Sequence, residues 1–357
     1  MMVWLLFVAG LGALVLGAES LVRGASKLAL SLGISPLVVG LTVVAFGTSA
    51  PETTVSVSAA LSGQTDIAVG NVVGSNIFNI LFILGLAALI TPLVVDAQII
   101  RQEVPIMIGA SLLLLAFTLD GTVSSLEGAF LLVLLVAYTL FLVIQSRRQT
   151  AAVQAEYARE VRVSAAGAWD GRLWVQVLLI AAGLVLLVMG SRWLVTAAIT
   201  FARQLGVSEL VIGLTIVAAG TSLPEVAASV SAALKGERDI AVGNVVGSNI
   251  FNILGCLGAA ALASGTAGLV IGASVIAFDI WVMLAVAFAC LPIFISGREI
   301  ARWEGGMFLG YYAAYVAYLL LAAQQHSALT TYSSVMLSFV LPITIVTLVV
   351  SVTRHKA

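Results

Sequence analysis

Two glutamates occupy the same position in two copies of one sequence segment. Residues 40–81 and 213–254 align without a gap at an offset of 173, and 33 of the 42 aligned positions are identical. Glu52 lies in the first copy and Glu225 in the second, each among small and apolar residues. Since a charged side chain at the centre of a bilayer costs about 2.5–3.5 kcal/mol or more, a duplicated carboxylate at that depth predicts a cation site shared by two halves of a membrane protein.

Each glutamate closes a Gly-Thr-Ser-x-Pro-Glu motif, at 47–52 and at 220–225. A proline inside a helix removes one N–H donor and clashes with the carbonyl four residues earlier, so we expect each helix to kink or unwind at its motif. Such a break frees backbone carbonyls, and it is tolerated at membrane depth only when it is buried in protein or lines a cavity. The candidate ligands from the two motifs are Ala45, Thr48, Ser49, Glu52, Ala218, Thr221, Ser222 and Glu225.

The chemistry of these candidate ligands favours a hard cation. Oxygen ligands that include carboxylates are what Ca²⁺ requires, and they also suit Na⁺. The absence of His and Cys from both motifs argues against Zn²⁺ or Cu⁺. The two cysteines of the chain, Cys256 and Cys290, stand in apolar runs, where we expect small buried side chains rather than a disulfide or metal ligands.

A second duplicated motif, GNVVGSNIFN, occupies 70–79 and 243–252. Its polar residues step by four, so they share one helix face that must meet protein or water rather than lipid. Interhelical packing or capping is the favoured interpretation for Asn71 and Asn244. Ion binding is the favoured interpretation for the remaining polar residues of the two stripes, which are Ser75, Asn79, Ser248 and Asn252.

The composition places the chain in a membrane. Of its 357 residues, 61% are hydrophobic and 9% are charged, whereas about 25% are charged in a soluble domain. Apolar runs of about 20 residues predict membrane-spanning helices, the first of them a true span rather than a signal peptide. We predict an all-α polytopic protein with spans near 2–20, 36–61, 67–90, 104–119, 124–145, 173–200, 209–234, 240–263, 269–295, 304–323 and 333–353.

The helix count fixes the relation between the two copies. Five spans separate the second predicted helix from the seventh, so the copies cross the membrane in opposite directions and form inverted-topology repeats. We therefore expect a first five-helix repeat at 1–145, a linker at 146–172, a second five-helix repeat at 173–323 and an additional helix with a basic tail at 324–357. Five arginines fill the linker, and the loops predicted opposite to it contain no Lys or Arg. The bias predicts an external N-terminus, with the linker and the C-terminus in the cytoplasm.

With these motifs, the chain resembles the calcium/cation antiporter superfamily, and specifically its prokaryotic calcium/sodium antiporter branch. The resemblance covers the ten-helix body and implies exchange of cytoplasmic Ca²⁺ for external Na⁺ across the plasma (inner) membrane. It also implies one central Ca²⁺ site flanked by Na⁺ sites, built from the twelve candidate ligands above. Two departures stand out: Asn252 replaces an Asp that many members carry, and the helix at 333–353 lies beyond the usual body.

Other functions remain open at the level of sequence. H⁺ could replace Na⁺ as the driving ion, because a carboxylic acid in a dry site can carry protons. A channel would need no inverted repeat, and an intramembrane enzyme would need a nucleophile–base pair or a metal, whereas no His lies in a predicted span. The net charge of −1 argues against nucleic acid as a partner. We expect the bilayer, Ca²⁺ and Na⁺ as partners and no cofactor, and the sequence leaves homo-oligomerisation undecided.

Overall fold

A computed structural model describes residues 2–148, 169–206, 209–212, 215–216 and 218–354. Within these ranges, nine helices are long and apolar enough to cross a membrane, and one bent pair brings the number to ten. The first half contains α1 Met2–Leu32, α2 in two parts Pro36–Thr48 and Ala50–Leu61, α3 Thr65–Ile90, α4 Ile99–Phe117 and α5 Ser125–Ser146. The remainder contains α6 Leu173–Gln204, α7 Leu223–Leu234, α8 Arg238–Ala263, α9 Val275–Ile295, α10 Arg302–Ala323 and α11 Ala328–Thr347. The all-α polytopic fold predicted from the sequence is confirmed.

Several predicted helix boundaries were wrong. Helix α1 continues to Leu32, so Arg23 and Lys27 lie within it rather than in a following loop. Long basic side chains can extend their charges beyond the apolar zone, which lets a helix run past the bilayer. The predicted span 269–295 begins only at Val275, because Leu269–Val270 is a short strand. The seventh predicted span, 209–234, includes a few positions outside the described residues. Most of the linker at 146–172 also lies outside them.

Helices α1 and α6 pack against each other in opposite directions. A Cβ atom added at Gly10 would lie 2.9 Å from the carbonyl oxygen of Gly190, and one at Gly17 would lie 2.9 Å from that of Gly183. Seven residues further along, Gly24 meets Gln176 in the same way. As the position rises by seven on α1, it falls by seven on α6. The first helices of the two halves are therefore antiparallel, as inverted repeats require, and they touch along their backbones.

Four short strands join the two halves at their ends. Strand β1 (Leu93–Val94) follows α3 and pairs antiparallel with β4 (Glu299–Ile300), which precedes α10. Strand β2 (Thr122–Val123) precedes α5 and pairs antiparallel with β3 (Leu269–Val270), which follows α8. In each pairing, the strand that follows the third helix of one half pairs with the strand that precedes the fifth helix of the other half. Each pairing lets a segment of one half satisfy backbone groups of the other.

Candidate cation site

Helix α2 breaks at its Gly-Thr-Ser-x-Pro-Glu motif. Its two parts meet at Ser49, whose φ and ψ of −80° and 8° are not helical. The helix axis bends by 45° there. Ser222 has φ and ψ of −89° and 8° and begins α7 in the same way. Each break places its proline in the first turn of the following helix, where the missing N–H leaves no bond unmade.

The expectation that the break frees the Ala45 carbonyl was wrong in detail. That oxygen accepts a hydrogen bond from the Ser49 N–H at 3.1 Å. The bond that Pro51 cannot make is the one to Gly47, so the backbone opens two residues later than predicted. The Thr48 hydroxyl also lies within hydrogen-bond distance of this oxygen, at 3.4 Å, so the Ala45 oxygen has two donors from its own motif. Its counterpart Ala218 begins the short helical segment Ala218–Gly220, beside positions outside the described ranges.

The two breaks exchange serine–glutamate hydrogen bonds. The Ser49 hydroxyl donates to Oε1 of Glu225 at 3.1 Å, and the Ser222 hydroxyl donates to Oε1 of Glu52 at 2.8 Å. All four side chains are fully buried. The hydroxyl of each motif therefore lies on the carboxylate of the other motif, and the breaks face each other across a pseudo-two-fold axis. Ser75 joins them through its hydroxyl, 3.2 Å from that of Ser222.

Several buried oxygens at this junction have no hydrogen-bond partner. Within the described ranges, nine buried side-chain nitrogen or oxygen atoms lack a partner, and four of them belong to predicted ligands. They are Oε2 of Glu52, Oε2 of Glu225, Oδ1 of Asn79 and Oγ of Ser248. A buried polar group without a partner costs about 1–3 kcal/mol, and more if it is charged. Buried oxygens that lack donors and come from both halves are groups that a cation could satisfy.

A lattice of asparagines holds the amide oxygens in place. Asn79 donates through Nδ2 to Oδ1 of Asn249 at 3.0 Å, and Asn252 donates through Nδ2 to Oδ1 of Asn76 at 3.1 Å. Each ligand candidate thus donates its N–H to the opposite half. The Asn79 oxygen has no partner among the described residues, whereas the Asn252 oxygen lies 3.5 Å from the sulfur of Cys256. Sequence reasoning missed Asn76 and Asn249. Their position three residues before each candidate, on the adjoining part of the same helix face, could have indicated them.

Asn79 and Asn252 also open matching irregular turns. Each is the first residue of a π-helical segment, Asn79–Leu84 on α3 and Asn252–Leu257 on α8. Such wide turns are rare in helices and often occur at functional sites. The duplicated GNVVGSNIFN motif therefore specifies both a polar face and a local change of helix pitch at its end.

The threonines of the motifs connect to Asn71 and Asn244. Thr48 donates to Oδ1 of Asn244 at 3.2 Å, and Thr221 donates to Oδ1 of Asn71 at 3.4 Å. Asn71 in turn donates to the hydroxyl of Ser56 at 3.0 Å. These two asparagines have partners for both donor and acceptor groups, which agrees with the packing interpretation. The threonine hydroxyls act as donors here and retain oxygen lone pairs.

The ligand set differs from that of a transition-metal centre. Among the described residues, no group of three His, Cys, Asp or Glu side chains could hold a metal ion. The oxygens assembled at the junction come from two carboxylates, serine and threonine hydroxyls, and asparagine amides. Two carboxylates balance the charge of one Ca²⁺, and neutral oxygens of this kind complete the coordination of hard cations.

Comparison with known proteins gives one consistent result. The family described as "Sodium/calcium exchanger protein" matches residues 2–144 and 175–321, which leaves α11 outside the match. The putative antiporter CaxA of Alkalimonas amylolytica is 41% identical, over 88% of this chain and 97% of its own. The sodium/calcium exchanger MaX1 of Methanosarcina acetivorans is 34% identical, over 88% and 98%. The structure of the sodium-calcium exchanger NCX_Mj superposes with a TM-score of 0.75 at 30% identity, covering 89% of this chain and 99% of that one.

Proposed function

Because the chain belongs to the sodium/calcium exchanger protein family, we propose that it moves cytoplasmic Ca²⁺ outward in exchange for external Na⁺. Membership makes the chain a multi-pass membrane antiporter for Ca²⁺ and a counter-cation, and not an enzyme. The proposal concerns Na⁺ as the driving ion, the direction of exchange and the residues that bind the ions. Exchange follows alternating access, in which the two inverted halves rearrange around a fixed midplane site.

The observation that carries this proposal is the set of unpaired oxygens at the junction of the halves. Oε2 of Glu52 and Oε2 of Glu225 are buried and lack donors among the described residues, yet each glutamate's other oxygen accepts a serine hydroxyl. A carboxylate held by one donor and open on its other oxygen is oriented for a cation. A divalent cation neutralises both glutamates at once, and two Na⁺ ions do the same.

The ligand assignment extends this pair to its neighbours. We assign Ca²⁺ to the centre, between Glu52 and Glu225, and Na⁺ to flanking positions that share their oxygens. Serine and asparagine oxygens contribute at the centre, and threonine and carbonyl oxygens contribute at the flanks. The full set is Ala45, Thr48, Ser49, Glu52, Ser75, Asn79, Ala218, Thr221, Ser222, Glu225, Ser248 and Asn252.

The names of two relatives support Na⁺ as the driving ion. MaX1 and NCX_Mj are each named as sodium/calcium exchangers, whereas CaxA is named only as a putative antiporter. The same buried carboxylates could in principle bind H⁺ in place of Na⁺, so the driving ion is the property to measure first.

The test is radioactive Ca²⁺ uptake into everted vesicles from cells that produce the protein. One set of vesicles is loaded with Na⁺ and diluted into Na⁺-free medium, and a second set has an acidic lumen and no Na⁺. We expect uptake in the first set only, and none in vesicles that carry the Glu52→Gln, Glu225→Gln double variant. Uptake driven by the acidic lumen alone would replace Na⁺ with H⁺. Uptake that needs neither gradient, and follows membrane potential, would contradict antiport.

We also propose that the protein lies in the plasma (inner) membrane with the linker and C-terminus cytoplasmic, the halves being 1–145 and 173–323. Ser62 and Lys235 test this arrangement, because they occupy equivalent repeat positions and are both exposed. Inverted repeats place them on opposite sides of the membrane. A cysteine replacing Ser62 should react with an impermeant maleimide in intact cells, and one replacing Lys235 should react only after lysis. Labelling of both in intact cells would contradict the inverted topology.

A further inference from the structure

Helices α4 and α5 of the first half leave an open groove between them. Within the ranges that the structure describes, this groove has a volume of about 530 Å³ and is lined by apolar residues of both helices and by Leu254 of α8. Tyr138 is the polar residue in this lining, and its hydroxyl donates to Glu103. A Cβ atom added at Gly109 would meet no atom within 4 Å, so the groove is open at this point of α4. Since a void forfeits dispersion energy, lipid or a protein segment must fill the groove in a bilayer.

The inverted repeat identifies the equivalent surface of the second half. Tyr138 of α5 donates to Glu103 of α4, and Tyr315 of α10 donates to Asp279 of α9. The tyrosines are 177 positions apart and the acids are 176 apart, so α5 corresponds to α10 and α4 to α9 at these offsets. The surface between α9 and α10 is therefore the counterpart of the groove.

Helix α11 covers this counterpart surface. The Tyr311 hydroxyl of α10 is hydrogen-bonded to the Thr344 hydroxyl of α11, and the Tyr332 hydroxyl of α11 donates to the backbone oxygen of Ala314 at 2.8 Å. The helical segment Leu341–Arg354, which contains the end of α11, packs against α9. These contacts place α11 along both helices that form the counterpart of the groove.

The α10 residues that hold α11 are the counterparts of groove residues. Tyr311 corresponds to Leu134 and Ala314 corresponds to Ala137, and both first-half residues line the groove. Of two equivalent surfaces, the described part of the chain covers one with a helix and leaves the other open. Because Leu134 has no hydroxyl, the groove has no equivalent of the bond between Tyr311 and Thr344, and it suits an apolar helix face.

We propose that the α4–α5 groove is the docking site for one membrane-spanning helix of a separate single-span protein, which covers the first half as α11 covers the second. Inverted repeats reverse direction, so this helix crosses the membrane opposite to α11, with a cytoplasmic N-terminus in the proposed topology. Every copy of this chain inserts in one direction, so the α11 of a second copy has the wrong direction for this site. Small residues in the groove, Gly109, Ala110 and Ala137, permit the close backbone approach that favours a helix over a lipid chain.

The probe for this site is α11 itself, produced as a separate segment of residues 324–357. Flanking arginines fix its direction, so that one form inserts opposite to α11 and a second form inserts parallel to it. The segment carries Tyr332→Cys and the full-length protein carries Ala137→Cys, because Tyr332 contacts Ala314, the counterpart of Ala137. Val136→Cys is the matched control, since Val136 is exposed on the same helix and does not line the groove.

The two chains are produced together in membranes and treated with a short thiol-to-thiol cross-linker, and the protein without an added cysteine gives the background. We expect the oppositely directed segment to cross-link to Ala137→Cys. Val136→Cys and the parallel segment should stay at background, and so should Ala137→Cys when Gly109→Leu fills the groove. Equal cross-linking at positions 136 and 137 would show random collision in the bilayer and overturn the proposal. Background cross-linking at Ala137→Cys would also overturn it, since the groove would then hold lipid.

Photo-cross-linking in cells tests the natural occupant. A benzophenone amino acid in place of Ala137 should form an adduct with a polypeptide, and production of the oppositely directed α11 segment should displace that adduct. The mass of the adduct distinguishes a polypeptide from a lipid, and adducts of lipid mass alone would overturn the proposal. Neither measurement uses an ion gradient, so helix docking can fail while Na⁺-driven exchange is observed, and it can be found in a protein driven by H⁺.

Discussion

The structure holds two kinds of buried acid, and they differ in how many donors they meet. Glu103, on α4, is fully buried, and both its oxygens have partners: Gln98 and Gln102 donate to Oε1, and the Tyr138 hydroxyl donates to Oε2 at 2.7 Å. The central glutamates, Glu52 and Glu225, each have one oxygen without a donor among the described residues. An acid in a spanning helix is therefore not by itself an ion site. The unpaired lone pairs distinguish a ligand from a structural acid.

The second half repeats the same contrast. Asp279 on α9 accepts a hydrogen bond from the Tyr315 hydroxyl at 2.7 Å, as Glu103 does from Tyr138 in the first half. Each of these acids is the last residue of a π-helical segment, Ile99–Glu103 or Val275–Asp279. Both pairs tie neighbouring helices together at the periphery. The central acids differ from them in joining one half of the molecule to the other.

The largest effect should follow from neutralising a central acid. We expect Glu52→Gln and Glu225→Gln each to lower Ca²⁺ exchange by about 100-fold or more and to leave the protein folded and inserted. Two unit charges 4 Å apart attract by about 4 kcal/mol at an effective dielectric constant of 20, which is nearly three orders of magnitude in affinity. Vesicle uptake and size-exclusion profiles of the two variants are the measurements. Near-normal exchange by either variant would remove the distinction between central and peripheral acids.

A smaller effect should follow from adding a carboxylate at Asn252. Asn252→Asp adds a negative charge to the proposed ligand set, which favours more cation charge in the site or a shared proton. We expect Ca²⁺ binding to persist, because Glu52 and Glu225 remain. The half-saturating Na⁺ concentration, or the proton concentration at half-maximal uptake, should shift by a factor of about three or more. Uptake curves across Na⁺, K⁺ and pH series that superimpose on wild type would place Asn252 outside the site.

The peripheral acid should affect stability and not ion binding. Glu103→Gln and Tyr138→Phe each remove part of a buried charge-assisted network, so we expect each to lower the free energy of unfolding by about 1–3 kcal/mol. The double variant should lose less than the sum of the two, because the side chains share one hydrogen bond. The Ca²⁺ concentration for half-maximal uptake should stay within about twofold of wild type. A large rise in that concentration would make Glu103 part of ion binding.

The smallest effect concerns an acid outside the spans. Nε of Arg23 donates to Oδ2 of Asp170 at 2.7 Å, and this guanidinium holds the pKa of the Asp170 carboxyl below its usual range. A lowered pKa in the folded protein favours the charged form, so the contribution is present at neutral pH and is lost as acidification passes below about pH 4. Asp170→Asn should lower the thermal midpoint by about 2 °C at pH 7. The difference from wild type should shrink in acid, and a difference that grows there would contradict the pairing.

Part of this architecture follows from sequence alone, for identifiable physical reasons. Proline in a spanning helix is a strong local constraint, so the breaks beside Pro51 and Pro224 could be predicted. The four-residue spacing of Ser75 and Asn79, repeated in the second copy, predicts that they share one helix face. Whether the Ala45 carbonyl is hydrogen-bonded could not be predicted, because the sequence does not say at which residue the helix breaks. In the structure the Ser49 N–H still bonds to Ala45, and the missing bond is the one that Pro51 cannot donate to Gly47.

Other features depend on contacts between distant segments. Cys256 has the sequence surroundings of a small buried hydrophobe, and only the fold brings Thr53, 203 residues away, within 2.9 Å of its sulfur. The spacing of Asn76 and Asn249 could have indicated a shared helix face, but their hydrogen bonds to Asn252 and Asn79 of the opposite half depend on the fold. The C-terminal end of α1 was mispredicted because Arg23 and Lys27 lower the local hydropathy, although helical hydrogen bonding continues through them.

The division of one site between two halves has a consequence for biogenesis. The hydrogen bond from Ser222 to Glu52 joins residues 170 positions apart, and that from Ser49 to Glu225 joins residues 176 apart. At about 5–20 residues per second, synthesis of the intervening chain takes about 10–30 seconds. Throughout that interval the nascent first half carries Glu52 without the serine that will orient it. The same division that lets two halves share an ion therefore delays assembly of the site until α7 has been synthesised.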